Sequence, residues 1–167
     1  MGPSAELTEI LGSYPSANNA FAICGWISVR RVTSMTTHQV TYDIQSPDIV
    51  RRDVLDPIAY QYALSREIDI VIEQPEFTSV CPMTGLPDFG RIMVRYRPDK
   101  KLVELKSLKY YLLQYRNVGI FYEHLVNHIL DDLVAVLEPK WLEVKGEFTA
   151  RGGITTSTRV EFTRDRP

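Results

Sequence analysis

Two short runs constrain this chain more than anything else in it. In EIDIVIE, residues 67–73, Ile68, Ile70 and Ile72 alternate with Glu67, Asp69 and Glu73. In RIMVRYR, residues 91–97, Ile92, Val94 and Tyr96 alternate with Arg91, Arg95 and Arg97. A period of two sends apolar groups to one face and charge to the other, so both runs read as half-buried strands. RPDKK then reads as a turn. The apolar faces need a covering layer, and the next segment supplies it. SLKYYLLQYRN carries Leu108, Tyr111, Leu112 and Tyr115 at helical spacings, with Ser107 placed to cap the start. After Gly119, the residues Phe121, Leu125, Ile129, Leu133 and Leu137 recur every fourth position until Pro139 stops a second helix. WLEVKGEF and, beyond the Gly152-Gly153 turn, ITTSTRVEF read as two more strands. The order strand, strand, helix, helix, strand, strand specifies an α+β domain, an antiparallel sheet with helices on one face. A sheet of this kind has free edges, which a homo-oligomer removes by joining sheets between subunits.

The patterned part spans residues 67–167. Residues 35–66 lead into it. Residues 1–34 are small, polar and without periodicity apart from NAFAICGWISV, and they read as an extension, a tag, or a start placed upstream of a natural one at Met35. NAFAICGWISV falls short of the roughly 18 residues of a membrane helix. No Lys or Arg precedes it, as a signal peptide would require. Hydrophobic residues make up 44% and charged residues 24% of 167, an ordinary globular balance with enough chain for a core. A net charge of −2 leaves no overall basic field for nucleic acid or membranes. The two cysteines, Cys24 and Cys81, make no disulfide framework and suit a reducing, cytoplasmic compartment.

The chemistry-bearing residues cluster in a few places. FTSVCPMTGLPDFG, residues 77–90, reads as the loop between the first two strands. A free cysteine is most often a small buried hydrophobe. Here Pro82, Gly85 and Pro87 stiffen the loop, so Cys81 and Asp88 hold a fixed relation. A carboxylate near a thiol is placed to accept its proton and return one, although Asp in such a turn is equally a turn-former. In ELKSLKYY, Lys106 and Lys109 share a helical face near its start, where the dipole favours phosphates, unless they simply form a solvated surface. Arg151 adds a cation beside two glycines. Glu123 lies beside Phe121 and Tyr122 at the start of the second helix, suited either to a flat heterocycle or to the helix dipole. His124 and His128 have zinc-like spacing, but no third ligand accompanies them and H-E-x-x-H is absent. G-x-G-x-x-G and G-x-x-x-x-G-K-[ST] are absent too, so a nucleotide is not held in either of those ways.

Taken together and in order, FTSVCPMTGLPDF, ELKSLKYYLLQYRN, GIFYE and RGGI resemble the QueF-type, NADPH-dependent 7-cyano-7-deazaguanine reductases. The resemblance covers roughly residues 67–162. It implies the tunnelling fold (T-fold) in its short, single-module form, with β-β-α-α-β-β subunits joined into an oligomeric barrel, a homodecamer of stacked pentamers. It implies that Cys81 adds to the substrate nitrile as a thioimide and that Asp88 donates a proton. Glu123, Phe121, Tyr122 and Glu104 would bind the 7-deazapurine. Lys106, Lys109 and Arg151 would bind NADPH where subunits meet. No metal, nucleic acid or membrane partner is implied. The product would be 7-aminomethyl-7-deazaguanine, on the route to queuosine in tRNA. Two other functions suit parts of the pattern. One is an amidinotransferase of the same fold acting on the same nitrile in archaeosine formation; the other is a non-catalytic deazapurine-binding module. The cofactor segment favours the reductase over the first, and Cys81 with Asp88 disfavours the second. Two features depart from the family. Tyr122 stands where its members often have His, and residues 1–34 have no counterpart.

Overall fold

The alternating runs do form strands, and their apolar faces meet both helices in one core. The computed structural model describes residues 43–164, all within the second of two units of the chain, Val40–Pro167. The expected extension, residues 1–34, lies outside the described residues. In chain order the elements are strands β1 (Pro57–Ala59), β2 (Ile70–Val80), β3 (Pro87–Arg97) and β4 (Lys101–Val103), helices α1 (Leu105–Leu113) and α2 (Tyr122–Leu137), then β5 (Trp141–Arg151) and β6 (Ile154–Thr163). Four strands form an antiparallel sheet in the order β2-β3-β5-β6. The expected α+β class is therefore present.

Ile92, Val94 and Tyr96 of β3 and Leu142 and Val144 of β5 are buried against Leu108, Tyr111 and Leu112 of α1 and Leu125, Ile129, Leu133 and Leu137 of α2. The opposite face of the sheet carries charge. There Glu143 lies between Arg95 (3.9 Å) and Arg159 (3.2 Å), which offsets its burial. Between the helices, the Tyr111 hydroxyl donates to Asp132 Oδ2 at 2.7 Å and contacts the Tyr115 hydroxyl at 3.0 Å. The Tyr115 hydroxyl in turn contacts His128 Nδ1 at 2.5 Å. His128 is thus engaged in a helix-to-helix hydrogen-bond chain, and the described residues contain no group of His, Cys, Asp and Glu that would hold a metal.

Three local expectations need correction. EIDIVIE is only partly strand, since β2 begins at Ile70, and it continues well past the run through Val80. A bulge between Gln74 and Phe77 breaks the alternation there, because one strand gains a residue on its partner. The expected 77–90 loop therefore shrinks to residues 81–86, with FTSV ending β2 and PDFG beginning β3. Ser107 does not cap α1. Glu104 does, accepting from the N–H groups of Lys106 (2.8 Å) and Ser107 (2.7 Å), while Ser107 Oγ donates to the Glu104 carbonyl. Finally, β1 and β4 make a small second sheet, too short to leave a periodic signal.

Both ends of α2 follow from its sequence. Glu123 in the first turn complements the helix dipole. At the other end Glu138 takes a left-handed conformation (φ 50°) before Pro139, which stops the helix. Gly152 and Gly153 both have positive φ (56° and 85°), as a two-residue hairpin turn between β5 and β6 demands. Each fully buried leucine of α2 contributes about 1.5–3 kcal/mol through the water it no longer meets. Leu133→Ala also leaves a cavity against the sheet, so urea unfolding is expected to show a loss of about 2–5 kcal/mol. A change under about 1 kcal/mol would mean that α2 does not anchor the sheet.

Candidate active site

The segment joining the helices is what brings this site together. The Val80 N–H at the end of β2 donates to the Val118 carbonyl (3.1 Å), and the Ile120 N–H donates to the Val80 carbonyl (3.3 Å). On its other side the same segment pairs with Gln45, whose N–H donates to the Asn117 carbonyl (2.9 Å). This backbone ladder carries Phe121, Tyr122 and Glu123 to the loop that holds Cys81. Gly119 permits the approach, since a Cβ there would stand 3.3 Å from Pro82 Cα and closer still to the Ile44 side chain. The loop is closed by its own backbone: the Cys81 N–H donates to the Leu86 carbonyl (2.9 Å) and the Gly85 N–H to the Cys81 carbonyl (2.8 Å).

Cys81 is a free, half-buried thiol. The Thr84 hydroxyl, the Arg151 guanidinium and the backbone N–H groups of Met83 and Thr84 all favour its ionised form. They outweigh burial and pull the thiol from its ordinary value of 9.0 down to about 6. Asp88, the second residue of β3, has only 3% of its surface exposed. Its Oδ1 accepts from the Tyr122 hydroxyl at 2.5 Å and from Arg151 Nη2 in an ion pair. The Tyr122 ring stacks flat on Phe148, centroids 3.6 Å apart and planes 7° from parallel, which fixes the hydroxyl toward Asp88. Burial, followed by the negative charges of Cys81 and Glu123, pushes the Tyr122 hydroxyl up, so it stays a donor at neutral pH. Ser79 pairs with Asp88 across the two strands, and its fully buried hydroxyl has no hydrogen-bond partner among the described residues.

Of the residues expected from sequence, Cys81, Asp88, Tyr122 and Arg151 meet here. Arg151, expected to bind the cofactor, forms its ion pair with Asp88. Glu123 is exposed on the first turn of α2, and among the described residues its side chain makes no hydrogen bond or ion pair. Phe121, 47% exposed, caps the helix and lies edge-on to His124. Glu104 has both carboxylate oxygens engaged in capping α1. Lys106 and Lys109 stand exposed on α1 and form no ion pair among the described residues. No hydrogen bond or ion pair among those residues links Glu104, Lys106 or Lys109 to Cys81 or Asp88. Sequence reasoning missed Thr84, Phe148 and Ser79. Thr84 had a signal, a hydroxyl three residues beyond the cysteine inside a turn. Phe148 and Ser79 had none, because their places depend on strand register.

A free, half-buried thiol and a buried carboxylate thus stand at one end of an antiparallel α+β frame, an arrangement that suits the addition of sulfur to an electrophilic carbon. A family model described as "QueF-like protein" matches residues 87–167. Three curated relatives carry the name NADPH-dependent 7-cyano-7-deazaguanine reductase. The protein from Caldicellulosiruptor bescii is 52% identical over 124 residues, spanning 74% of this chain and 94% of that one. That from Chlorobium chlorochromatii is 52% identical over 114 residues, 68% of this chain and 97% of the relative. That from Chlorobaculum tepidum is 57% identical over 101 residues, 60% and 86% respectively. Among solved structures, an archaeosine synthase QueF-Like in the apo form superposes with a TM-score of 0.51 over 60% of this chain and 96% of its own. At 21% identity it bears on the fold alone. The chain belongs to the family of NADPH-dependent 7-cyano-7-deazaguanine reductases.

Alkylation of Cys81 by iodoacetamide is expected to rise with pH and reach half its plateau near pH 6, because the thiolate is the reacting form. A midpoint near the ordinary value of 9.0 would show that Thr84 and Arg151 do not activate it.

Proposed function

We propose that this chain reduces the nitrile of 7-cyano-7-deazaguanine to the aminomethyl group of 7-aminomethyl-7-deazaguanine at the expense of NADPH, on the route to queuosine. The observation that carries the reading is the Cys81 thiol, held toward its ionised form beside buried Asp88. It is supported by the relatives' shared name.

The reaction uses that pair in a definite order. Cys81 Sγ forms a bond to the nitrile carbon while one π pair of the C≡N group moves to nitrogen, which takes up a proton that Asp88 first accepts from the thiol or from solvent and then passes on. The result is a thioimide. Sulfur suits the task because it adds readily and leaves once the carbon has been reduced and an imine forms. Holding thiol and acid at opposite ends of one C≡N group replaces a chance encounter with a fixed geometry. Tyr122, stacked on Phe148, keeps the Asp88 carboxylate aimed. Glu123 accepts from N–H donors of the deazapurine, and Phe121, exposed beside it, offers a ring face.

NADPH, when bound, supplies a hydride to each of the two successive reductions. Lys106 and Lys109 fit its phosphates: both are exposed cations on the opening turns of α1, and neither forms an ion pair within 4.0 Å among the described residues. Glu104 and these lysines make no contact with the cysteine pair in one subunit. We therefore place the complete site between subunits of a homo-oligomer, a T-fold barrel of the pentamer-stacked kind, whose assembly also covers the free edges of β2 and β6. The compartment consistent with a free thiol of this reactivity is the cytoplasm, and no helix among the described residues is long and apolar enough to cross a membrane.

The amidinotransferase reading shares the thioimide but transfers ammonia and consumes no NADPH. The near-ultraviolet absorbance of NADPH, followed with the nitrile present, is expected to fall by two equivalents per nitrile. No fall while a thioimide still forms would move the assignment to the transferase. With the nitrile alone, intact-mass measurement is expected to show one adduct on the wild type and none on Cys81→Ala. An adduct on the variant would remove Cys81 from the nucleophile's role. Glu123→Ala is expected to weaken nitrile binding by about 1.5–3 kcal/mol in calorimetric titration, the range for a lost hydrogen bond to a charged group. Unchanged affinity would leave Glu123 as a helix-start residue only.

A further inference from the structure

We infer that Phe148 is a positioning residue for the proton step: seated over Gly90 and Gly146, it holds the Tyr122 hydroxyl on Asp88 Oδ1 and so leaves Oδ2 as the oxygen that carries the proton. This role deepens the nitrile-reductase reading and rests on it for the atom that receives the proton. The placing of the Asp88 carboxyl group does not depend on that reading.

Each contact in the chain of support is short. Phe148 lies on β5 and pairs across the sheet with Gly90 of β3. A Cβ on Gly90 would stand 2.7 Å from Phe148 Cδ1, and one on Gly146 would stand 2.8 Å from Phe148 Cε2. Both separations are closer than a real Cβ comes to a neighbour, so the ring occupies space that any other residue at either position would claim. Phe148 is 5% exposed. On it the ring of Tyr122, the first residue of α2, stacks flat with centroids 3.6 Å apart. The two glycines therefore set how far Phe148 stands off the sheet, and Phe148 sets the same for Tyr122. The phenol oxygen lies in the plane of its own ring, so placing the ring places the hydroxyl, which meets Asp88 Oδ1 at 2.5 Å.

Proton counting gives the two oxygens of Asp88 different tasks. Oδ1 accepts from the Tyr122 hydroxyl and from Arg151 Nη2. A carboxyl oxygen has two lone-pair sites, so both are taken. Oδ2 accepts no hydrogen bond among the described residues. A proton on Asp88 therefore sits on Oδ2. Neither donor on Oδ1 replaces Asp88 as the acid, because a guanidinium keeps its protons and a phenol ordinarily ionises only near about pH 10. A carboxyl group free to turn would exchange its oxygens and carry the proton away from the reacting atom. Donors from α2 and β5 on the same oxygen prevent that turn, which is the kind of fixed geometry that speeds a transfer.

The step balances without an oxidant or reductant. A sulfur electron pair of Cys81 forms the C–S bond, one π pair of the nitrile moves to nitrogen, and the Oδ2–H bond breaks as the N–H bond forms. A proton from the thiol or from solvent restores the acid.

The test uses the full chain and the nitrile without NADPH. Intact mass follows thioimide formation. Iodoacetamide labelling of Cys81 is measured beside it, because alkylation needs the sulfur but no acid. Phe148→Leu keeps a buried apolar side chain and removes the flat face. It is expected to slow the thioimide by at least about tenfold, part of what a positioned acid contributes, with labelling unchanged. Equal slowing of both reactions would place Phe148 in the fold or at the thiol and overturn the assignment. Tyr122→Phe keeps the stack, loses the hydroxyl, and is expected to slow the thioimide similarly. The double variant is expected to be no slower than either single one, since Phe148 acts through Tyr122, and additive losses overturn the assignment. A readout without substrate separates this role from the reaction. Infrared difference spectra against Tyr122→Phe isolate the Tyr122 C–O stretch, which reports the hydrogen bond of its hydroxyl. The band is expected to shift in Phe148→Leu, and an unmoved band overturns the assignment. If the band shifts but the wild type forms no adduct, Phe148 still positions Asp88 and the nitrile reading falls.

Discussion

The hydrogen bonds between Val80 and the Val118–Ile120 segment join two parts of the structure that would otherwise have no reason to meet. On one side is the end of an edge strand and the cysteine loop that follows it. On the other is the junction between two helices. Backbone pairing of this kind is directional and leaves little freedom, because buried N–H and C=O groups left without partners cost free energy. Once the pairing forms, α2 must begin beside Cys81, and its first residues reach the thiol and the acid. The four fully buried side chains of α2, Leu125, Ile129, Leu133 and Leu137, then hold the helix on the sheet. The core thus serves the site by fixing where a helix starts.

Charge within the site is balanced locally. Asp88 is buried and would be costly if unpaired, so the carboxylate has two donors, the Tyr122 hydroxyl and the Arg151 guanidinium. The same guanidinium and the Thr84 hydroxyl stabilise a thiolate nearby. The stacked pair Tyr122 and Phe148 gives this polar cluster a rigid apolar floor. A similar economy appears on the open face of the sheet, where Glu143 lies between Arg95 and Arg159. In both places a buried carboxylate is tolerated because arginine from a neighbouring strand pairs with it.

The segment proposed to hold the cofactor is organised differently. Glu104 closes the N-terminus of α1, and Lys106 and Lys109 project from it into solvent. A helix start with exposed cations suits an anion. Its separation from the cysteine pair within one subunit is the physical motive for proposing a site shared between subunits.

Much of the fold was legible in the residues themselves. Period-two alternation in β3 and fourfold spacing in α2 depend on local geometry alone, so both elements appear where their patterns place them. The Gly152-Gly153 hairpin follows equally, since two successive positive φ angles need glycine. Cys81 and Asp88 stood out because a rigid, proline-bracketed turn carries both. What the residues could not show lay in register and reach. The bulge between Gln74 and Phe77 concealed the second half of β2, because an extra residue inverts the alternation that announces a strand. Glu104 displaced Ser107 as the cap of α1, a choice that depends on backbone angles at the helix start. Above all, sequence showed Arg151 only as one more cation in a glycine turn. Only the tertiary structure, by pairing β3 with β5, could set its guanidinium on Asp88. Local patterns encode which face of an element is apolar; which charges meet across 63 residues of chain is decided by how those elements are paired.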